Sequence, residues 1–223
     1  MGSKHQASQE RARPESTKRH KLRGRMVATA TVAACLIASA PAAANGGGMG
    51  KGKGPKPTVT VQAAVNGGFE NPDIATGTWA IFSSITGWTP TNGCGIELQD
   101  PNGDQYVELN SNCPSGITQT LQLPSSTAAT VSFDFSPRPG TQAEDNKMDV
   151  YWNGTLVKTV GPQAGASDNV WSHYSVTVMS KGTDSYNTLK FVSAGTNPSG
   201  GGVGVFLDHV EVNYQTASGG PGG

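Results

Sequence analysis

Apolar residues alternate with polar ones in this chain, and this two-residue period restricts the fold more than any other feature. Within residues 130–135 (TVSFDF), Val131, Phe133 and Phe135 share one face and polar residues occupy the other. Successive side chains of a strand point to opposite faces of a sheet, so the pattern predicts a strand with one buried face. A 3.6-residue periodicity longer than one turn does not occur, which excludes a helical bundle or a coiled coil.

The same alternation recurs in short segments separated by turn residues. Met148, Val150 and Trp152 share one face and lead into Asn153-Gly154, a pair that favours a two-residue hairpin turn. The sequence therefore predicts an all-β fold, a two-sheet antiparallel β-sandwich of the jelly-roll type. Further strands are expected at residues 117–123, 156–160, 174–178, 189–191 and 206–212.

The balance of basic and acidic residues differs between the first 44 residues and the rest of the chain, which predicts an export segment followed by a mature protein. Residues 1–44 carry eight basic and two acidic residues, whereas residues 45–223 carry eight basic and fourteen acidic residues. In the first part, a basic stretch at 18–25 precedes an apolar run at 26–38, and small residues follow up to Ala44. These are the three parts of a secretory signal peptide, and the run is shorter than the about 20 residues that cross a bilayer. We expect a secreted, extracellular protein.

A lipid-anchored form is the alternative. Residues 32–35 (VAAC) resemble a lipoprotein cleavage box, which would place a lipid on Cys35. The apolar run continues through Leu36 and Ile37, however, whereas such a box normally closes the run. The rest of the chain contains no second apolar stretch, so the sequence predicts no transmembrane segment.

The mature chain divides into a linker, a domain and a tail. Residues 45–58 are rich in Gly, Lys and Pro and are predicted to be a flexible linker; residues 216–223 are predicted to be a disordered tail. Residues 59–215 are predicted to form one β-sandwich domain. Beyond the linker, five basic and fourteen acidic residues remain. This surplus argues against a nucleic-acid partner, because phosphate binding needs clustered Lys and Arg.

Two cysteines remain after removal of the signal peptide. Cys94 and Cys113 form an even pair in an exported chain, which predicts a disulfide bond. Metal binding by two isolated thiols is the weaker alternative, since no histidine or second cysteine pair lies nearby in the sequence.

The order of several short motifs resembles a known family. The motifs lie at residues 65–70 (VNGGFE), 85–88 (ITGW), 96–97 (IE), 105–109 (QYVEL), 117–119 (ITQ), 136–140 (SPRPG), 150–154 (VYWNG) and 206–208 (FLD). Together they resemble the galactose-binding-like jelly rolls of the secreted "domain of unknown function" family of plant cell-wall proteins and their bacterial relatives. The first and last motifs are also similar to those of carbohydrate-binding modules. The resemblance implies a jelly roll, a structural calcium site and a role in binding polysaccharide.

Glu70 and Asp208 are the predicted calcium ligands. Calcium prefers hard oxygen ligands, and in related sugar-binding jelly rolls the matching acidic positions hold such an ion. Asp208 alternates with Phe206, Val210 and Val212, so its carboxylate is expected to point into the sandwich, where a cation would neutralise it. The alternative is that both carboxylates accept backbone N–H bonds or stay partly solvated.

A hairpin around residues 100–104 is predicted to present the ligand-binding face. Alternation places Glu97, Tyr106 and Glu108 on one sheet face, where carboxylates bind sugar hydroxyls and a ring stacks on a pyranose. Arg138, on a proline-flanked loop, would either pair with a nearby carboxylate or bind the ligand. A solvated face with one salt bridge is the structural alternative.

Trp88 is the preferred aromatic platform, whereas Trp152 is expected in the core, and Trp79 and Trp171 are compatible with either role. The sequence shows no nucleophile-elbow motif and no sign that Glu97 or Glu108 is a glycosidase carboxylate. We therefore predict a noncatalytic polysaccharide or cell-wall glycan-binding protein. A structural or adhesion protein that binds other proteins is the alternative, and a glycoside hydrolase is a weaker one. The oligomeric state does not follow from the sequence.

Overall fold

Twelve strands account for about half of the described chain, which comprises residues 58–110, 113–182, 186–196 and 202–217 of a computed structural model. The predicted signal peptide, Cys35 and linker residues 45–57 lie outside these described residues. In the described ranges, no helix has the length and apolar character needed to cross a membrane. The strands are Thr58–Gln62 (β1), Thr78–Phe82 (β2), Thr89–Pro90 (β3), Ile96–Asp100 (β4), Tyr106–Glu108 (β5), Gly116–Gln122 (β6), Ala128–Ser136 (β7), Met148–Trp152 (β8), Thr155–Val160 (β9), Ser172–Met179 (β10), Tyr186–Ser193 (β11) and Phe206–Ala217 (β12).

The strands form two antiparallel sheets. The larger sheet has the order β10-β7-β12-β5-β4-β2, and β1 also pairs with β12. The smaller sheet has the order β3-β6-β11-β8-β9. The predicted two-sheet β-sandwich is confirmed. Because Thr58 pairs with Ala217, β1 and β12 extend slightly beyond the predicted domain limits of 59–215.

The core lies between the sheets and follows the alternation read from the sequence. Val131, Phe133 and Phe135 of β7 are fully buried, as are the predicted apolar positions of β6, β8 and β11. The predicted hairpin joins β8 to β9, where Asn153 and Gly154 both adopt left-handed backbone angles, with φ of 50° and 82°. This is the conformation that a two-residue turn of the primed type requires.

The last strand departs from the predicted alternation. Asp208 pairs with Asp134, but Glu211 pairs with Ser132, so β12 contains one extra residue there. This β-bulge places His209 at a φ of 48° and reverses the faces beyond it. Val210 and Val212 point into the core together with Leu207, whereas Phe206 and Asp208 lie on the opposite face of the sheet, called here the outer face. The prediction that Asp208 points into the sandwich is therefore wrong.

The disulfide prediction is confirmed. Cys94 and Cys113 are bonded, with their Cα atoms 5.9 Å apart. The bond links the segment before β4 to the segment before β6, and thus one strand of each sheet.

Trp88 is a core residue and not a platform. Its side chain is 1% exposed, and its ring contacts Phe69 and Phe191 at centroid distances of 5.6 and 6.2 Å. Its indole N–H donates to the carbonyl of Asn66. The prediction that Trp88 binds ligand is therefore wrong, because no face of the ring is available for stacking. Trp152 is buried as predicted.

We expect Trp88→Ala to lower the free energy of unfolding by about 3–5 kcal/mol, the usual cost of truncating a core aromatic residue. Trp79→Ala is the matched control, because Trp79 is 65% exposed, and its cost should stay within about 0.5 kcal/mol. Denaturant unfolding of both variants measures the difference. Equal stability losses would contradict this placement of the two rings.

Candidate functional site

The β4–β5 hairpin places Glu97, Tyr106 and Glu108 on one sheet face, as the alternation predicted. Glu97 pairs directly with Glu108, and Gln99 pairs with Tyr106. Paired residues of neighbouring strands project from the same face, so all four side chains lie on the outer face of the larger sheet. The two carboxylates are thus cross-strand neighbours, an arrangement that is destabilising unless other groups offset the repulsion.

Packing buries these carboxylates instead of presenting them to solvent. Glu108 is 2% exposed, and Glu97 is also buried. The Glu108 Oε1 atom accepts from the Arg138 guanidinium and from the Gly204 N–H, and Oε2 accepts from the Gln99 amide. The prediction that Glu108 contacts a ligand directly is therefore wrong, because both of its oxygens are occupied, whereas ligand contact through Glu97 stays a prediction.

Arg138 is the charge partner of Glu108. Its guanidinium pairs with Glu108 and also donates to the carbonyl of Gly202 at 2.6 Å. Of the two roles that the sequence left open, the structure shows the ion pair. Both contacts are made by the Nη1 atom, so the ion pair anchors one side of the guanidinium, and the Arg138 side chain is 34% exposed.

A glycine is required beside this ion pair. A Cβ atom at Gly204 would overlap the carbonyl oxygen of Leu109, so no larger residue fits. The close approach brings the Gly204 N–H within 3.0 Å of Glu108. The segment that carries Gly202 and Gly204 is thereby fixed against β5.

The pKa of the Glu108 carboxyl is raised to about 7: burial is the largest cause, Arg138 and the Gly204 N–H lower the pKa, and the neighbouring Glu97 raises it. Desolvation disfavours the charged form of a carboxyl group, which explains the direction. Local sequence patterns do not reveal such a group, because the residues that bury Glu108 come from distant segments of the chain. The occupied oxygens of Glu108 nevertheless leave no position for a substrate.

Tyr106 connects this buried network to the surface. Its hydroxyl donates to Gln99 Oε1 and accepts from the Asn169 amide, both at 3.2 Å. Its ring packs on Phe206 at 4.7 Å and meets the edge of Trp171 at 5.4 Å. Burial raises the pKa of the Tyr106 hydroxyl. The ring is therefore held in one orientation from several sides.

A cleft of about 470 Å³ lies over Tyr106 on the outer face. Trp171, which is 37% exposed, forms part of its wall together with Tyr106. Asp104 and Asp168 contribute two exposed carboxylates. The remaining lining residues are Pro101, Asn102, Pro139, Ser167 and Asn169.

Trp79 adds a second exposed ring to the same face. It pairs with Gln99, which in turn pairs with Tyr106, so the three side chains form one row across β2, β4 and β5. Two strand spacings separate Trp79 from Tyr106, or about 10 Å. The outer face thus carries one exposed tryptophan on each side of Tyr106, Trp79 on one side and Trp171 on the other.

The predicted calcium ligands have different surroundings from those expected. Glu70 is exposed and accepts from the backbone N–H of Gln105 at 2.9 Å, which agrees with the hydrogen-bonding alternative. Asp208 is buried on the outer face, and its ligand oxygen lies within 4.8 Å of ligand atoms of Asp104 and His209. Among the described residues, no third acidic, histidine or cysteine side chain forms such a group with Glu70 and Asp208 together.

The pair of Glu70 and Asp208 is therefore a poor fit for a calcium cage made of side chains, and an ion there would depend on backbone carbonyls and water. The group of Asp104, Asp208 and His209 includes an imidazole, a ligand that suits borderline cations better than calcium. Burial raises the pKa of Asp208 to about 7, while contacts with His209 lower it and Asp104 and Asp134 raise it. Calcium remains a prediction for this protein.

No protein-family model and no curated protein matches the chain. Similar solved structures include the Stig cyclase Fisc from Fischerella sp. TAU, with 16% identity and a TM-score of 0.48 over 72% of this chain and 100% of that one. A family 35 carbohydrate-binding module from Clostridium thermocellum has 18% identity and a TM-score of 0.41 over 60% of this chain and 97% of that one. A CBM4 structure has 17% identity and a TM-score of 0.44 over 69% of this chain and 100% of that one.

The similar structures thus include carbohydrate-binding modules and an enzyme. At these identities and TM-scores, the likeness assigns no function to this chain. The resemblance to the plant cell-wall family, and the absence of enzyme activity, both stay predictions.

The pKa of Glu108 predicts an unusual pH dependence. Because the folded-state pKa of about 7 lies above the ordinary value of 4.5, protonation favours the folded protein. The stabilising contribution is full below about pH 4.5 and is lost as the pH rises through about 7, a change on the order of 3 kcal/mol. We expect the free energy of unfolding to fall over this range, and Glu108→Gln to make the fall shallower; the slope that remains comes from Asp208, whose pKa is also raised to about 7.

Glu144→Gln is the control for this measurement, because Glu144 is exposed and lies outside the network. Denaturant unfolding at several pH values should give Glu144→Gln the wild-type profile. A Glu108→Gln profile as steep as that of the wild type would contradict the assignment.

Proposed function

We propose that this protein is a secreted, noncatalytic polysaccharide-binding protein whose ligand lies in the outer-face cleft over Tyr106 and Trp171. The observation that carries the proposal is the pairing of a partly exposed aromatic wall with exposed carboxylates and an amide in one cleft. A pyranose has an apolar face and a rim of hydroxyl groups. The cleft offers a partner for each of these surfaces.

The aromatic side chains supply the apolar contact. Trp171 is exposed enough to receive a sugar ring, and Tyr106 supports it from the sheet. Trp79 lies further along the same face and is positioned for a second sugar unit of an extended chain. Exposed tryptophans with fixed neighbours combine a large contact area with a small loss of side-chain entropy.

The polar side chains supply orientation. Asp104, Asp168 and Asn169 line the cleft and carry oxygen and nitrogen atoms that bind hydroxyl groups. Each such bond replaces a bond to water and contributes about 1 kcal/mol net. The ring contacts therefore supply much of the affinity, and the polar groups select the ligand.

A noncatalytic role is supported by the state of Glu108. Glu108 is more deeply buried than Glu97, the other carboxylate of the hairpin. Its oxygens already accept hydrogen bonds from Arg138, Gly204 and Gln99. A glycosidase acid must reach the glycosidic oxygen of its substrate. Glu108 has no such access.

Secretion and the calcium ion are further parts of the proposal. The basic, apolar and small-residue segments of residues 1–44 support export, with a lipid on Cys35 as the alternative. The disulfide bond agrees with an oxidising compartment. A calcium ion at Glu70 and Asp208 is supported by the family resemblance alone.

We expect Trp171→Ala to weaken polysaccharide binding about tenfold, the equivalent of burying about 50 Å² less apolar surface. Affinity electrophoresis through gels that contain individual soluble polysaccharides gives the binding constants, and thermal unfolding shows whether each variant is folded. Tyr186→Ala is the matched control, because Tyr186 is an exposed aromatic residue on the smaller sheet.

The control should bind as tightly as the wild type. If Trp171→Ala binds an established polysaccharide with wild-type affinity, the cleft is not the site. Retention on protein fractions but on no polysaccharide would favour the adhesion alternative, and release of reducing ends would show a hydrolase.

A further inference from the structure

The outer-face cleft is acidic and contains no cationic side chain to offset this charge. Asp104 and Asp168 are both exposed, and no Lys, Arg or His occurs among the described residues that line the cleft. Asp208 lies behind Asp104, within 4.8 Å of it, and pairs with Asp134 on the neighbouring strand. The acidic side chains thus continue from the cleft wall into the sheet, but the exposed carboxylates of Asp104 and Asp168 are the charges on the cleft itself.

The nearest basic groups are already engaged. Arg138 is bound to Glu108 and to the Gly202 carbonyl. His209 lies between Asp134 and Asp208, with its Nδ1 atom 3.4 and 3.1 Å from their carboxylate oxygens. His209 also lies within 4.8 Å of Asp104, but it does not line the cleft, so Asp104 and Asp168 are the charged side chains that a ligand in the cleft would meet.

We propose that the cleft selects a cationic sugar polymer, one that carries unacetylated amino sugars, over neutral or anionic glycans; this inference rests on the proposed function. A protonated amine on the sugar would lie between the two carboxylates while the ring contacts Trp171. The indole face also attracts a cation directly. A uronic acid at the same place would face two like charges and no basic partner, which disfavours anionic polymers.

The test compares three oligosaccharides of equal length: a glucosamine oligomer, its fully N-acetylated form and a glucose oligomer. Titration calorimetry of the intact secreted protein should show about tenfold tighter binding of the glucosamine oligomer, as expected for two exposed ion pairs. The preference should shrink from low salt to about 1 M salt, where the Debye length falls to about 3 Å. Each titration is repeated with a chelator, so that a metal ion at Asp104 does not mask the carboxylate.

Asp104→Asn and Asp168→Asn should each weaken binding of the glucosamine oligomer more than binding of the glucose oligomer, because an amide still binds hydroxyl groups but does not form an ion pair with an ammonium group. Asp149→Asn is the matched control, because it removes one negative charge from β8 in the smaller sheet, away from the cleft. It should retain the full preference. Thermal unfolding confirms that all three variants are folded.

The outcomes separate this inference from the proposed function. Equal affinity for the three oligomers, or a preference that persists in high salt, would overturn the selection of cationic sugars and leave polysaccharide binding intact. If the protein binds none of the three oligomers and no soluble polysaccharide, the proposed function itself is overturned. Polylysine should compete at least tenfold less well than the glucosamine oligomer; equal competition would show a general cation site and overturn selection of a sugar.

Discussion

The buried carboxylate of Glu108 is the interaction on which the outer face depends. It joins β5 to two segments that are distant in the sequence, the loop that carries Arg138 and the turn that carries Gly204. A buried charge is costly unless it is paired and hydrogen-bonded, and both oxygens of Glu108 are satisfied. Loss of either partner would leave a charge in a dry environment. The ion pair thus holds the elements around the cleft in one arrangement.

Tyr106 transmits this order to the surface. Through Gln99 it shares the Glu108 network, and through Asn169 and Trp171 it contacts the segment that forms the cleft wall. The buried acid therefore supports the surface around the cleft, which it does not itself reach. Rigid support from a hydrogen-bonded layer below a site is what precise recognition requires.

The sequence predicted the sheets because alternation is a local property. The strands around Phe133 and Val150, the Asn153-Gly154 turn and the shared face of Glu97 and Glu108 all follow from neighbouring residues and were correct. The disulfide followed from the number of cysteines and the export signal. These features need no knowledge of distant contacts.

The errors concern contacts between distant parts of the chain. The bulge at His209 inserts one residue and turns Asp208 outward, and alternation alone carries no signal for it. Trp88 was predicted to be an aromatic platform for a ligand, but its ring is enclosed by Phe69 and Phe191. The cleft wall comes from residues 167–171, which meet Tyr106 only in the folded sandwich. A cleft assembled from distant segments cannot be predicted from the pattern of any one segment.

The sequence contains four tryptophans, and their indole signals test directly whether a ligand lies in the outer-face cleft. In an NMR titration with a glucosamine oligomer and, separately, a glucose oligomer, each indole N–H gives one resolved signal. If the ligand lies in the cleft, the signals of Trp171 and Trp79 shift with saturation. The signals of Trp88 and Trp152 stay in place, because their indoles donate to backbone carbonyls inside the sandwich. Saturable binding that leaves the Trp171 signal unchanged would contradict the account.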